Sequence, residues 1–92
     1  MKEINIQVTE LLAGLAEECC ELAQAALKLR RFYDRTNPTP ISEERATEDF
    51  YEEIADVLLY MDQIPHPEEY INSIKENKLK RWKTRLKEFN NG

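Results

Sequence analysis

The fold is decided by the stretch LLAGLAEECCELAQAALKL, which covers residues 11–29. Its apolar residues recur at steps of three and four, which is the spacing of one face of an α-helix. The stripe consists of Val8, Leu11, Leu12, Leu15, Cys19, Leu22, Ala26 and Leu29. We therefore expect a first helix from about Thr9 to Phe32, with Cys19 as a small core residue. Gly14 weakens this helix locally, by about 1 kcal/mol relative to alanine.

Two further helices follow from the same periodicity. Ser42 is a good N-cap residue, and a second helix from there to about Gln63 carries a stripe of Phe50, Ile54, Val57, Leu58 and Met61. The segment 34–42 before it contains two prolines, which predicts a loop. Pro67 begins a third helix, whose stripe is Tyr70, Ile71, Ile74, Trp82, Leu86 and Phe89. His66 lies in the turn 64–67, where we interpret it as structural.

Length and composition limit the class of protein. The chain has 92 residues and only two glycines, which argues against an all-β fold and against a glycine-rich phosphate loop. Residues 1–92 form one domain near the lower size limit for independent folding. The predicted fold is an all-α bundle of three long helices, or four with a short N-terminal one, completed by oligomerisation.

Nothing in the sequence predicts a membrane protein. The longest uncharged apolar stretch, Val57 to Met61, is far shorter than the roughly 20 residues that span a bilayer. Met1–Thr9 lacks the apolar core of a signal peptide. Cys19 and Cys20 are adjacent on a helix and cannot easily form a disulfide, which agrees with a reducing compartment. We therefore expect a cytoplasmic protein without a membrane partner.

The charge is distributed unevenly along the chain. The formal net charge is −5, but residues 1–74 carry 6 Lys and Arg against 16 Asp and Glu. Residues 75–92 reverse the balance, with 7 against 2. The sequence thus combines an acidic body with a basic C-terminal segment, and the positions of the acids decide what the body does.

Two carboxylate pairs occupy matching positions on the first two helices. Glu18 and Glu21 stand three residues apart, as do Glu53 and Asp56. At about 100° per residue, both pairs lie roughly 60° and 120° from the centre of their own apolar stripe. If the two helices pack antiparallel, the four carboxylates converge beside the core. An oxygen-only ligand set suits Mg²⁺ or Mn²⁺, while a solvated acidic face is an equally weighted alternative from the residues alone.

These motifs resemble the signature of MazG-like proteins, which belong to the all-α nucleoside triphosphate pyrophosphohydrolase superfamily. Glu-Glu-x-x-Glu at 17–21 and Glu-Ile-Ala-Asp at 53–56 carry the likeness, which extends over roughly Leu15 to Arg85 and includes Asn37-Pro38. The resemblance implies a helical bundle, dimeric or tetrameric, that hydrolyses a nucleoside triphosphate to the monophosphate and pyrophosphate.

The resemblance also implies roles for individual residues. Magnesium ligands carry over onto Glu18, Glu21, Glu53 and Asp56, and Glu17 takes a supporting or water-orienting role. The family's basic residues after the second motif fall on Lys78 and Arg81, with Asn77 beside them as a further candidate for binding substrate.

Further cations are candidates from their positions alone. Lys28 lies close to Glu21 on the helical wheel and could reach a phosphate chain, although a solvated lysine paired with an acid is as good an interpretation. Arg85 shares one face with Lys78 and Arg81, which suggests a polyphosphate clamp. Trp82 could stack on a base, but a core anchor is the favoured interpretation.

Two rival functions stay open. Phosphoribosyl-ATP pyrophosphohydrolase has a similar acidic motif, although the proline-containing loop and the basic tail favour the MazG-like side. A non-enzymatic helical module that binds nucleic acid through residues 75–87 is disfavoured, because basic residues spread round a helix more often form a solvated surface.

Overall fold

The computed structural model describes residues 7–35 and 40–91, and the described residues form three α-helices and no strand. The helices are α1 (Val8–Asp34), α2 (Glu43–Gln63) and α3 (Glu68–Asn91). The predicted all-helical fold with three long helices is therefore confirmed. The Asn37-Pro38 part of the predicted loop lies outside the described residues.

The helix ends follow local rules. The Ser42 hydroxyl accepts a hydrogen bond from the backbone N–H of Arg45 at 3.1 Å, so this serine caps α2 as predicted. At the end of α1, Arg35 adopts a left-handed conformation with φ 54°, and its N–H donates to the carbonyl of Arg31 at 2.9 Å. This cap places the end of α1 two residues beyond the predicted Phe32.

Helices α1 and α2 pack against each other as an antiparallel hairpin. Gly14 of α1 contacts Tyr60 of α2, and Glu18 meets Asp56 one turn further along. Further on, Ala25 lines the same cleft as Asp49. Residue numbers rise along one helix as they fall along the other, which is the arrangement that the carboxylate prediction required.

The hairpin core is small and consists mainly of short side chains. Among the described residues, only Leu11, Ala25 and Ala46 are buried. The prediction of Cys19 as a core residue is wrong in this chain, because Cys19 is exposed. The predicted apolar stripe also contained Ala26, whereas the buried alanine is Ala25. The reason is the rotation of α1, since a broad apolar stripe cannot be covered in full by one neighbouring helix.

Helix α3 stands apart from the hairpin. No Cα atom of α3 lies within 8 Å of a Cα atom in α1 or α2 across the described residues, and α3 has no buried residue. Trp82 is 61% exposed, so its predicted role as a core anchor is wrong within this chain. The radius of gyration is 17.2 Å, whereas a compact domain of this length has about 12 Å.

No helix in the described part of the chain is both long and apolar enough to cross a membrane.

Candidate metal centre

Three carboxylates meet where α1 and α2 cross. Glu18 comes from α1, and Glu53 and Asp56 come from α2. One oxygen of each lies within 4.8 Å of the oxygens of the other two, and all three residues are half-buried. This is the convergence that the paired spacing predicted.

The helix register explains why these acids face inward. Glu18 lies four residues after Gly14 and seven before Ala25, both of which contact or line the α2 side of α1. Glu53 lies seven residues after the buried Ala46. Steps of four and seven keep residues on one helix face, so both glutamates occupy positions where apolar residues usually stand.

The local environment disfavours negative charge on two of these groups. Oε2 of Glu18 and Oε2 of Glu53 are buried and have no hydrogen-bond partner. Burial raises the pKa of Glu18, and the charges of Asp56, Glu21 and Glu17 add to the effect. Burial also raises the pKa of Glu53, with Glu21, Asp56, Glu18 and Glu52 contributing in that order. Unpartnered buried carboxylate oxygens require a cation or a proton.

The fourth predicted ligand, Glu21, lies beside the trio rather than within it. It is not among the carboxylates whose oxygens come within 4.8 Å of one another. It lines the same cleft as Glu53 and Asp56, and its charge raises the pKa of both Glu18 and Glu53. Three of the four predicted ligands therefore form the cluster, and the fourth is close enough to share its field.

Two members of the trio, Glu53 and Asp56, line a cleft of about 290 Å³ between α1 and α2. Its lining residues are Glu21, Gln24, Ala25, Lys28, Arg45, Ala46, Asp49, Glu52, Glu53 and Asp56. The predicted phosphate ligand Lys28 is thus in the same cleft as the carboxylates. Five acids against two cations make this a strongly negative site.

Sequence reasoning missed four polar residues of this cleft, namely Gln24, Arg45, Asp49 and Glu52. The Arg45 guanidinium forms an ion pair with Asp49, with Nε 3.0 Å from Oδ1, and this hydrogen bond raises the pKa of Arg45. A signal for the α2 residues was present, because positions 45, 49, 52 and 56 follow one helix face at steps of four, three and four.

The remaining predicted site residues lie elsewhere. Glu17 is exposed and does not line the cleft. Lys78, Arg81 and Arg85 lie on α3 beside Trp82, along a shallow open surface that Asn77 does not line. Because α3 does not contact α1 or α2, the described part of the chain does not bring these residues to the carboxylates.

The donor set fits a hard divalent cation. The cluster offers carboxylate oxygens alone, and the nearby Cys19 and Cys20 are exposed and outside it. Mg²⁺ and Mn²⁺ prefer oxygen ligands, whereas zinc is usually held by nitrogen or sulfur. Two buried carboxylate oxygens without a hydrogen-bond partner are available to coordinate such a cation.

No family model, no curated protein and no solved structure matched the chain. The interpretation of the site therefore rests on the residues and their geometry, and the resemblance to MazG-like proteins stays a prediction.

Proposed function

We propose that the chain is a Mg²⁺-dependent nucleoside triphosphate pyrophosphohydrolase, which converts a nucleoside triphosphate and water into the monophosphate and pyrophosphate. One observation carries the proposal. Glu18, Glu53 and Asp56 place their oxygens within 4.8 Å of one another, and two glutamate oxygens there are buried without a partner. The resemblance to MazG-like proteins selects the reaction among those that such a centre supports.

The carboxylate trio would hold the cation, with Glu21 beside it. Bound Mg²⁺ supplies neutralisation of phosphate charge and activation of a water molecule. The half-buried setting strengthens the electrostatic interactions of these carboxylates, because water is partly excluded. Mn²⁺ has the same preference for oxygen and is an expected substitute.

Two cations of the cleft are suited to a phosphate chain. Lys28 lines the same cleft as the acids of α2, which supports a role in holding phosphate. Arg45 uses Nε to donate to Asp49, so its terminal nitrogens keep donors for phosphate oxygens. Glu17 would orient a water molecule only if a further helix covered it, because it is exposed.

A homo-oligomer, dimer or tetramer, belongs to the same proposal. The described residues bury only three side chains, while large apolar side chains on all three helices stay exposed. The exposed set includes Val8, Leu12, Leu27, Leu58, Leu59, Tyr70, Trp82, Leu86 and Phe89. A soluble monomer rarely exposes so much apolar surface, so a second copy is the natural cover.

The test is pyrophosphate release across canonical and modified nucleoside triphosphates, with Mg²⁺ present and absent. Phosphoribosyl-ATP belongs in the panel, because turnover of that substrate alone would select the rival enzyme. We expect Glu53→Gln to abolish turnover and keep the helical content by circular dichroism. Glu48→Gln is the matched control, since Glu48 is exposed on α2 and does not line the cleft. Full activity in Glu53→Gln would count against the proposal.

Nucleic-acid binding is the second candidate, and one observation favours it. Trp82 is 61% exposed and shares an open surface with Lys78 and Arg85, which resembles a stacking platform beside phosphate ligands. This function predicts salt-sensitive binding of single-stranded DNA or RNA and no effect of Mg²⁺ on the melting temperature. The pyrophosphohydrolase proposal predicts instead that the melting temperature rises with Mg²⁺.

A further inference from the structure

Helix α3 is an amphipathic helix without a partner among the described residues of its own chain. It does not contact α1 or α2, and none of its residues is buried. Apart from the half-buried Ile74, its large apolar side chains are exposed by 38% or more, and Phe89 by 81%. A 24-residue helix with this much uncovered apolar surface is stable only when another surface packs on it.

The apolar face of α3 also carries positive charge. Lys75, Lys78 and Arg85 lie within about 60° of Trp82 on the helical wheel. The apolar residues Leu79 and Leu86 fall on the same side and are 45% and 46% exposed. The surface that fits this face is therefore apolar and acidic at once.

The α1–α2 hairpin has such a surface at the rim of its cleft. Glu52 and Asp56 line the cleft, and Leu59, which is 56% exposed, lies within about 60° of both on α2. The charges of the two parts are opposite. Residues 7–63 carry five Lys and Arg against thirteen Asp and Glu, whereas α3 carries seven against four.

The connection between α2 and α3 keeps α3 away from its own hairpin. Pro65 and Pro67 flank His66, and each proline biases the residue before it towards an extended conformation. Ile64 is extended, with φ −91° and ψ 121°, and its carbonyl lies 2.7 Å from Nδ1 of His66. A short, stiff and extended hinge of this kind favours exchange of the element beyond it between two chains.

We propose that two copies of the chain exchange α3, so that α3 of each copy packs antiparallel along α2 of the other. An exchanged helix takes the register that it would have had in its own chain. Both helices rise by about 1.5 Å per residue, so residues at equal distances from the hinge on α2 and α3 face each other. This register places Lys78 opposite Glu53 and Lys75 opposite Asp56. Each carboxylate cleft then receives its α3 cations from the second copy.

The role of these cations in holding substrate phosphates rests on the function proposed above, whereas the exchange itself does not. The two parts are therefore tested separately, first by a readout that involves no nucleotide.

The exchange is tested by cysteine cross-linking in chains that carry Cys19→Ser and Cys20→Ser. The register places residue 52 opposite residue 79, so one tagged chain carries Glu52→Cys and a differently tagged chain carries Leu79→Cys. After mixing and refolding, oxidation is expected to give a disulfide-linked heterodimer. Thr84→Cys is the matched control, because residue 84 lies about 140° round α3 from residue 79. No heterodimer, or an internal bond alone in a chain with both cysteines, would overturn the exchange.

The unmodified protein gives a second measurement, because Trp82 is the only tryptophan. In the exchanged dimer its fluorescence emission is blue-shifted and protected from a soluble quencher. Dilution to the monomer should shift the emission to the red, in keeping with 61% exposure in the single chain. Emission that is red and fully quenched in the dimer contradicts the packing of this face.

Complementation tests the catalytic part of the proposal. Glu53→Gln and Lys78→Ala are each expected to be inactive alone, because the register brings Lys78 to Glu53 of the other copy. Mixed and refolded together, they should recover about a quarter of wild-type turnover, because half of the dimers are mixed and each has one complete site. If the chains cross-link but activity does not recover, the exchange is supported, and the idea that the second copy supplies the cations is refuted. If the wild-type protein itself is inactive, the proposed function is refuted instead.

Discussion

The contact between Gly14 and Tyr60 decides how closely α1 approaches α2. A Cβ atom added at Gly14 would overlap the Tyr60 ring, with Cζ at 2.5 Å and Oη at 2.6 Å. Gly14 lies one turn before Glu18, so this close approach also sets the separation of the helices at the carboxylate cluster. The glycine that looked like a weakness of α1 therefore makes room for the Tyr60 ring.

The effect of Gly14→Ala follows from two opposing terms. Alanine gains about 1 kcal/mol over glycine in a helix interior. Forcing the ring to move costs about 1–3 kcal/mol, which is typical of overpacking. In the wild-type background the two terms leave a destabilisation of up to about 2 kcal/mol. In a Tyr60→Ala background the overlap is gone, so the same substitution should stabilise the protein by about 1 kcal/mol.

The assay is urea unfolding, followed by circular dichroism at one fixed chain concentration, for the four proteins of this double-mutant cycle. Tyr60→Phe is the control, because it removes Oη but keeps the ring atom Cζ that overlaps the added Cβ. We expect a coupling energy of about 1–3 kcal/mol between the two sites. Equal stabilisation by Gly14→Ala in both tyrosine and alanine backgrounds would refute the close approach of the helices.

Three further predictions concern the site and the helix cap. Without Mg²⁺, the free energy of unfolding should fall as pH rises from the usual glutamate pKa of 4.5 through the raised pKa values of Glu18 and Glu53. The reason is that the folded state binds more protons than the unfolded state in this pH interval. The Glu18→Gln, Glu53→Gln double variant should flatten this slope in urea titrations at several pH values. Mg²⁺ should raise the melting temperature of the wild type and leave that of Asp56→Asn unchanged, as seen by thermal scanning; equal shifts would argue against a metal site. Ser42→Ala should cost about 0.5–2 kcal/mol of stability in chemical denaturation, whereas Ser73→Ala, inside α3, should not.

The three helices were predictable because their signals are local. Apolar residues at steps of three and four, a serine at position 42 and a proline at position 67 specify helices and their starts without any knowledge of tertiary contacts. The depth of burial was not predictable in the same way. A helical wheel shows which side of a helix is apolar but not how much of that side a neighbour covers, so Cys19 and Trp82 were wrongly placed in the core of the single chain.

The site was predictable where a single helix carries the pattern. The equal offsets of Glu18 and Glu53 from their apolar stripes correctly predicted that their oxygens meet across an antiparallel hairpin. Arg45 and Asp49 were missed because they lie outside the motif, about two turns and one turn before Glu53, although they share a helix face with Asp56. The cations of α3 pose a further problem, because the described part of the chain does not bring them to the carboxylates.

If the chain binds a metal ion and dimerises as proposed, the position of the carboxylates links the two processes. Glu18 and Glu53 occupy helix positions where apolar side chains would enlarge a core that has only three buried residues among those described. Their buried, unpartnered oxygens weaken the metal-free hairpin where the helices cross. A cation that binds the folded hairpin stabilises it, and so does a second copy that covers its apolar surface. Because both ligands bind the folded state and not the unfolded chain, each strengthens the binding of the other by the same factor wherever the unfolded chain is populated. The dimer should therefore dissociate at lower concentration when Mg²⁺ is present, and chelation should weaken it.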